Sequence, residues 1–292
     1  MPLSLAIPLQ HNMSFRTYAD STARRRKTEY NTHIKPFFGQ MKIKDVETKH
    51  VIEFRQYLVD TFNSVNTAIR VYSSFKILIN HAMRFFNMRS NPTLMITPFK
   101  RKKSNQNYIK REEFDRNVNK IENLYYKELV ILMFYTGLRV GEAMALKWKY
   151  VNFDEQGLFV RHTLDLQTKK IGSPKTESSN AFVPFPKHIS KMLLEIKKES
   201  KEKIYGFDDE HFVFGGKNPY TYTPLLKRFR LAFPNLRLHD LRHSYASYLI
   251  NKGVDIYLVK ELMRHTNIKQ TTDTYGHLYI ERKQDAMKVF DD

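Results

Sequence analysis

The chain is most tightly constrained between Leu238 and Tyr275, which reads LHDLRHSYASYLINKGVDIYLVKELMRHTNIKQTTDTY. Apolar Leu241, Tyr245 and Leu249 recur at helical spacing and predict a helix anchored in a core. Gly253 ends that helix as a C-terminal glycine does. Asp255 is a suitable N-cap for a second helix that reaches about Met263. His239 and Arg242 stand three residues apart on the first helix and therefore share a face. His265 falls just past the second helix, and Tyr275 follows a polar, Thr-rich segment. Two basic groups, a second His and a late Tyr are what a site needs to hold a phosphodiester and attack it with a phenol.

The charge balance agrees with a polyanionic partner. The chain has 292 residues, with 49 Lys and Arg against 30 Asp and Glu, a formal net charge of +19. The excess is densest early: residues 1–107 hold 18 basic and 6 acidic side chains, the remainder 31 and 24. Such a field favours a polyanionic partner over a neutral or basic one. The length suits one large or two ordinary domains. With no cysteine, a disulfide framework, a thiol nucleophile and a Cys-based zinc site are excluded. The sequence shows no apolar run of membrane-spanning length and no secretory signal, so a cytoplasmic protein without membrane contact is the expectation.

The stretch resembles the tyrosine recombinase family, the phage-integrase group of site-specific DNA recombinases. The resemblance rests on H-x-x-R at His239 and Arg242, a His at 265 and a Tyr ten residues later. A lone H-x-x-R is weak, but the upstream chain extends the pattern. Thr136-Gly137-Leu138-Arg139-Val140-Gly141-Glu142 matches the family's first arginine motif. The match implies that Arg139 binds the scissile phosphate and that Glu142 supports it from behind; the local alternative is a plain ion pair, worth little if exposed. Gly137 permits a sharp turn, and Gly141 a close approach of backbones. Lys175, in K-T-x-x-S-x-x-x-V-P, resembles the family's hairpin lysine, with Lys169 and Lys170 as alternatives in another register. Two positions depart from the pattern: Ala181 stands where the family often has Arg, and Arg264 where it usually has Gly before the second His.

The resemblance implies a fold and a division of labour. The fold class expected is mainly α with a small antiparallel β-sheet. An N-terminal helical bundle, the SAM-like core-binding domain, covers 1–107, and a catalytic domain of the DNA breaking-rejoining fold with a tail helix covers 108–292. Ser14 is expected to cap a helix through about His33, Thr48 one with Val51, Ile52, Phe54 and Leu58 inward, and a third runs from about Val65 to Phe86. Strands are expected at 157–164, 181–184 and 211–214. Pro98 to Asn107 is a basic, unpatterned linker. Arg24, Arg25, Arg26, Lys27, Lys100, Arg101, Lys102, Lys103, Lys227, Arg228 and Arg230 are candidate phosphate contacts, or else merely solvated charge. His243 and His277 flank expected catalytic positions and read as structural. Nothing resembles the small arm-binding domain that many integrases carry at the N-terminus.

For chemistry, the resemblance implies six residues: Arg139, Lys175, His239, Arg242, His265 and Tyr275. Many nucleases use two metals held by carboxylates, and no carboxylate cluster of that kind is evident, so no metal or cofactor is expected. Guanidinium forks match phosphate and stay charged, so Arg139 and Arg242 would clamp the non-bridging oxygens. Tyr275 would be the nucleophile, His239 its base, Lys175 the acid for the departing 5′-oxygen and His265 a further hydrogen bond. The product is a 3′-phosphotyrosyl intermediate and a free 5′-hydroxyl, on the route to integration or excision of a mobile element. Partners implied are a double-stranded recombination site, a homotetramer on paired sites that is monomeric or weakly associated when free, and accessory DNA-bending or directionality factors. A type IB topoisomerase-like enzyme and a non-catalytic DNA-binding regulator are the alternatives.

Overall fold

Two units each bury an apolar face of their own, Met1–Ser104 and Asn105–Asp292. The computed structural model describes residues 20–86, 88–100, 107–173 and 181–280. In the first unit α1 (Asp20–Glu29) passes through a π-helical turn, Tyr30–Ile34, into α2 (Lys35–Phe38). Helices α3 (Thr48–Thr61) and α4 (Val65–Phe85) follow. Phe38 stacks on Phe75 at a ring-centroid distance of 4.6 Å and meets Phe54 edge-on at 5.0 Å, so three helices share one aromatic core. The expected inward set on α3 is corrected at one position. Val51, Phe54 and Leu58 are buried, whereas Ile52 is exposed, because Ile52 lies about 100° around the helix from Val51. Thr48 is the first helical residue rather than the cap; the capping box is built by Glu47 and His50. Ser14 lies outside the described residues.

In the second unit, α5 (Arg111–Val118) and α6 (Leu124–Thr136) precede the short α7 (Val140–Met144). Helix α6 buries Leu129, Val130, Leu132, Met133 and Phe134, on more than one face, as a helix enclosed by others must. Phe114 of α5 stacks on Phe134 at 3.8 Å. The strands are shorter and more divided than expected. β1 (Val151–Asn152), β2 (Gly157–Phe159) and β5 (Phe182–Pro184) form one antiparallel sheet in the order β1-β2-β5. β3 (Thr163–Leu164) and β4 (Ile171–Gly172) form a separate hairpin, so the run 157–164 is interrupted rather than continuous. Residues 211–214 form no strand; Phe212 contributes a single bridge to Lys147.

Helices α8 (Lys187–Lys203) and α9 (Tyr222–Ala232) complete the outer layer. Then come α10 (Leu238–Asn251), α11 (Ile256–Leu262) and α12 (Ile268–Ile280). Tyr245, Ala246 and Ile250 of α10 pack with Val259, Met263, Tyr275 and Leu278 in a small core that fixes the three to one another. Tyr275 therefore sits inside a helix, not after a loop. The Thr-rich sequence conceals this, because Thr271, Tyr275 and Leu278 form a narrow buried stripe at spacings of four and three.

Two turns set the approach of these helices. Gly137 caps α6 with φ +62°, and a Cβ there would come within 2.5 Å of the Tyr245 ring. A Cβ on Gly141 would lie 2.6 Å from the Leu164 carbonyl oxygen, so α7 can press onto β3 only with glycine at that place. Gly137→Ala should thus carry both left-handed strain and a clash with Tyr245, a loss of about 1–3 kcal/mol in unfolding free energy. Urea denaturation checks this; an unchanged midpoint would mean that α6 and α10 have slack between them.

Candidate active site

Arg242 is deeply enclosed. It is 2% exposed. Its Nη1 donates to the Gly137 carbonyl at 2.5 Å, and its Nη2 donates to the Met263 carbonyl. Both carbonyls belong to residues that end helices, α6 and α11, where the helix dipole leaves partial negative charge. Burial first, and then the Arg264 and Arg139 cations, press the Arg242 guanidinium down to about 9, which still leaves it charged at neutral pH. The side chain comes from α10, whose start is fixed by Asp240: this fully buried carboxylate accepts from the Arg237 backbone N–H at 2.8 Å.

Arg139 is the residue from which α7 begins, and its side chain is 37% exposed. Glu142, one turn on, is buried. Its Oε1 accepts from Arg139 Nη1 at 2.7 Å and its Oε2 from the Arg139 backbone N–H at 3.0 Å. Oε2 also accepts from Arg264 Nη2 at 2.8 Å. Burial works against the Glu142 charge, but Arg264 and Arg139 outweigh it and hold its carboxyl below the usual range. Arg264, whose place beside the site had no evident effect in the sequence, is thus drawn inside as a partner of Glu142.

His265 Nδ1 lies 2.9 Å from Thr271 Oγ1 of α12. Burial, with Arg242 and Arg139 adding to it, pushes His265 down to about 3. Tyr275 is 2% exposed, and its hydroxyl lies 2.6 Å from Nδ1 of His243. Burial raises the Tyr275 phenol, and Arg242 offsets part of this. His243 is pushed down to about 4, by burial first and by His239 next. A neutral His243 with Nδ1 unprotonated accepts from the phenol. His239, the expected base, instead meets His243 edge-on at a ring distance of 4.9 Å, and burial and Arg242 lower its pKa as well.

Residues 107–282 match the phage integrase family, and residues 12–59 match the phage integrase N-terminal SAM-like domain. The chain belongs to the phage integrase family. It is 29% identical over 280 residues to the ICEBs1 integrase of Bacillus subtilis, covering 90% of this chain and 75% of that protein. Against a XerC-like tyrosine recombinase of Caldanaerobacter subterraneus the identity is 27% over 296 residues, with 90% and 75% covered. The Tn1549 transposon integrase in complex with transposon right end DNA superposes with a TM-score of 0.80 at 19% identity over all of both chains. A lambda integrase tetramer bound to a Holliday junction gives 0.69 at 14%, over 94% of this chain and 77% of that one. These two likenesses carry the fold, and the expected fold class holds: mainly helical, with small antiparallel sheets and a SAM-like N-terminal domain. With the family comes its activity, that of a tyrosine recombinase acting at specific DNA sites.

Five of the six expected residues come together here, with Glu142 behind Arg139. Lys175 lies outside the described residues, as do Arg101, Lys102 and Lys103; the alternatives, Lys169 and Lys170, lie between β3 and β4, Lys169 at φ +58°. Of the expected phosphate contacts, Lys27, Lys100, Lys227 and Arg230 are exposed, and Arg24 and Arg26 are half-buried. Arg25 is committed internally, its Nη1 2.7 Å from Glu29 Oε1, and Glu29 also holds Arg70 and the Ser74 hydroxyl. Arg228 lies over the Tyr126 ring at 5.1 Å. His243 is the residue that sequence reasoning set aside. Its signal was the i, i+4 spacing from His239, which puts both rings on one face of α10.

Among the described residues, no group of three or more His, Asp or Glu side chains is placed to hold a metal ion, and no helix is long and apolar enough to cross a membrane. The depressed histidines have a consequence for stability. Unfolded His binds a proton from about pH 6.5, whereas folded His243 waits until about 4, so its contribution is full above 6.5 and declines as pH falls toward 4. Glu128, raised to about 7 by burial and by Glu199 and Glu195, acts in the opposite sense over that range. The difference between the wild type and His243→Asn isolates the histidine. Between pH 6.5 and 5 the wild-type melting temperature should fall more than the variant's; parallel curves would contradict a neutral, enclosed His243.

Proposed function

We propose that Tyr275 cleaves one DNA strand at a specific site and is transiently esterified to it, with Arg139 and Arg242 holding the scissile phosphate. The observation that carries this reading is the hydroxyl of Tyr275 at 2.6 Å from the imidazole of His243, on a helix packed against the one that bears Arg242. The phenolic oxygen attacks phosphorus, the bond to the 5′-oxygen breaks, and the electron pair leaves with that oxygen. The phenolic proton passes to His243, which the geometry favours over His239. Lys175 returns a proton to the departing 5′-oxygen, an assignment that rests on the hairpin motif alone. Guanidiniums fixed around the non-bridging oxygens stabilise the charge that develops there.

Burial keeps the phenol protonated until a phosphate is in place, so an empty site is inert. The phosphotyrosyl ester conserves the energy of the broken bond. A 5′-hydroxyl from another strand therefore reverses the step without ATP, and choice of that strand turns cleavage into recombination. We place the integrase on double-stranded sites, four copies on two paired sites, acting in the cytoplasm for integration or excision of a mobile element. The lambda integrase tetramer on a Holliday junction, similar in fold, supports the assembly. Exposed Lys27 and Lys100 in the first unit and Lys227 and Arg230 in the second are proposed to add phosphate contacts. Accessory bending or directionality factors would act on the assembled complex.

The test uses a nicked substrate that traps the covalent step. Tyr275→Phe should bind this DNA within about twofold of wild type, since only a hydroxyl is lost, and form no adduct. EDTA should leave the wild-type adduct unchanged, because the cations at the phosphate are side chains. An adduct in Tyr275→Phe would move the nucleophile to Tyr279. Exchanged joints between two labelled duplexes separate recombination from relaxation.

A further inference from the structure

The first turn of α12 holds a threonine that behaves unlike its neighbours. Thr271 is 0% exposed, although Gln270 and Thr272 on either side of it are exposed. A threonine inside a helix commonly spends its hydroxyl on a carbonyl of the turn before it. Thr272 does so, with its Oγ1 3.2 Å from the Lys269 carbonyl and 3.4 Å from that of Ile268. Thr136 in α6 does so too, donating to the Leu132 carbonyl at 2.6 Å. Thr271 instead sets its Oγ1 2.9 Å from Nδ1 of His265. Among the described residues this is the one hydrogen bond its side chain makes.

That contact decides which nitrogen of His265 carries the proton. A hydroxyl has a proton to give, and a donor taken out of water without an acceptor is costly. If Nδ1 bore the proton, the Thr271 hydroxyl could only accept, and its own proton would be buried without a partner. With Nδ1 bare, the hydroxyl donates to it and both groups are satisfied. The ring is neutral at ordinary pH, pushed down to about 3 by burial first and by Arg242 and Arg139 next. Its one proton therefore sits on Nε2. The backbone holds the root of the ring: Arg264 before it stands left-handed at φ +52°, and the His265 N–H donates to the Lys260 carbonyl at 3.1 Å. One turn further along α12, the Tyr275 hydroxyl makes the same kind of bond to Nδ1 of His243 at 2.6 Å. The buried stripe of α12 thus meets two histidines through two hydroxyls.

We propose that Thr271 is a positioning residue: by donating to Nδ1 it fixes His265 as the tautomer whose Nε2–H gives a hydrogen bond to a phosphate oxygen, and it ties that ring to the helix turn preceding Tyr275. Thr271 itself touches no substrate. A proton on Nδ1 would leave a lone pair at Nε2, which repels a phosphate oxygen. The proposal rests on the reading of the phosphate site and of Tyr275 given above.

The experiment compares wild type, Thr271→Val and Thr271→Ser on the nicked substrate, with dissociation constant, single-turnover adduct rate and thermal unfolding measured for each. The imidazole nitrogen NMR spectrum of the DNA-free, histidine-labelled protein reads the tautomer directly, with the His265 signals assigned by their loss in His265→Gln. Wild type at neutral pH should show Nε2 protonated and Nδ1 bare. Valine keeps the shape of threonine and loses the hydroxyl. Its adduct rate should fall roughly 10- to 100-fold, the scale of a misplaced donor, while DNA affinity changes less than about threefold. Thr271→Ser returns the hydroxyl and should recover most of the rate. The glutamine of His265→Gln offers an amide near the place of Nε2 and nothing at Nδ1, so adding Thr271→Val to it should cost little more. A wild-type His265 protonated on Nδ1 would overturn the proposal. So would a valine rate equal to wild type, a serine variant no faster than valine, additive losses, or a rate loss that only tracks a loss of fold. Absence of a Tyr275 adduct in the wild type, with the tautomer as expected, would instead overturn the reading beneath it.

Discussion

A single buried cation holds the catalytic unit in register. The Arg242 guanidinium donates to the carbonyls of Gly137 and Met263, residues that end two helices far apart in sequence. A guanidinium taken from water without partners would be expensive, and two helix C-termini are among the few neutral partners whose dipoles favour a cation. The planar fork reaches both at once, which the point charge of lysine cannot do. The Gly137 turn leads to Arg139, and the Met263 turn to Arg264 and His265. The geometry of the proposed phosphate site is therefore set by contacts of Arg242 with main chain.

Around that cation the charges are deliberately unbalanced. Arg139, Arg242 and Arg264 gather near the carboxylate of Glu142: beyond the effect of burial, Arg264 and Arg139 both depress the Arg242 guanidinium, and Arg139 depresses that of Arg264. Burial first, and the neighbouring cations after it, keep the enclosed histidines neutral, with His265 down to about 3 and His243 to about 4. In the proposed function a phosphodiester supplies the missing negative charge. The site is organised for an anion whose charge increases in the transition state, which is where fixed dipoles and cations act most strongly.

Much of this was legible in the chain, for reasons that can be named. The positions of α10 and α11 follow from apolar periodicity, from Gly253 and from the Asp255 cap, all local properties. Arg139, Glu142, His239, Arg242, His265 and Tyr275 sit in short motifs whose spacing is itself the signal. What escaped depends on contacts between distant segments or on a torsion sign. Nothing local marks His243 rather than His239 as the partner of Tyr275, since the choice is made by how α12 packs on α10. The left-handed Arg264 was hinted at only by the absence of glycine at the end of α11. Helix α12 was hidden because its buried stripe, Thr271, Tyr275 and Leu278, is too narrow and too polar to raise a periodic signal. The sheet divided because Gly157–Phe159 and Thr163–Leu164 pair with different partners, which alternation along one strand cannot reveal.

The central claim is that the phenol of Tyr275, and no other nucleophile, carries the DNA. Trypsin releases Gln270–Arg282 as one peptide holding both Tyr275 and Tyr279. Mass spectrometry of the adduct trapped on nicked DNA in EDTA, with fragmentation of that peptide, measures which tyrosine bears the 3′-phosphonucleotide. The account predicts that the added mass lies on Tyr275 alone. Mass on Tyr279, or on any residue outside this peptide, would contradict it.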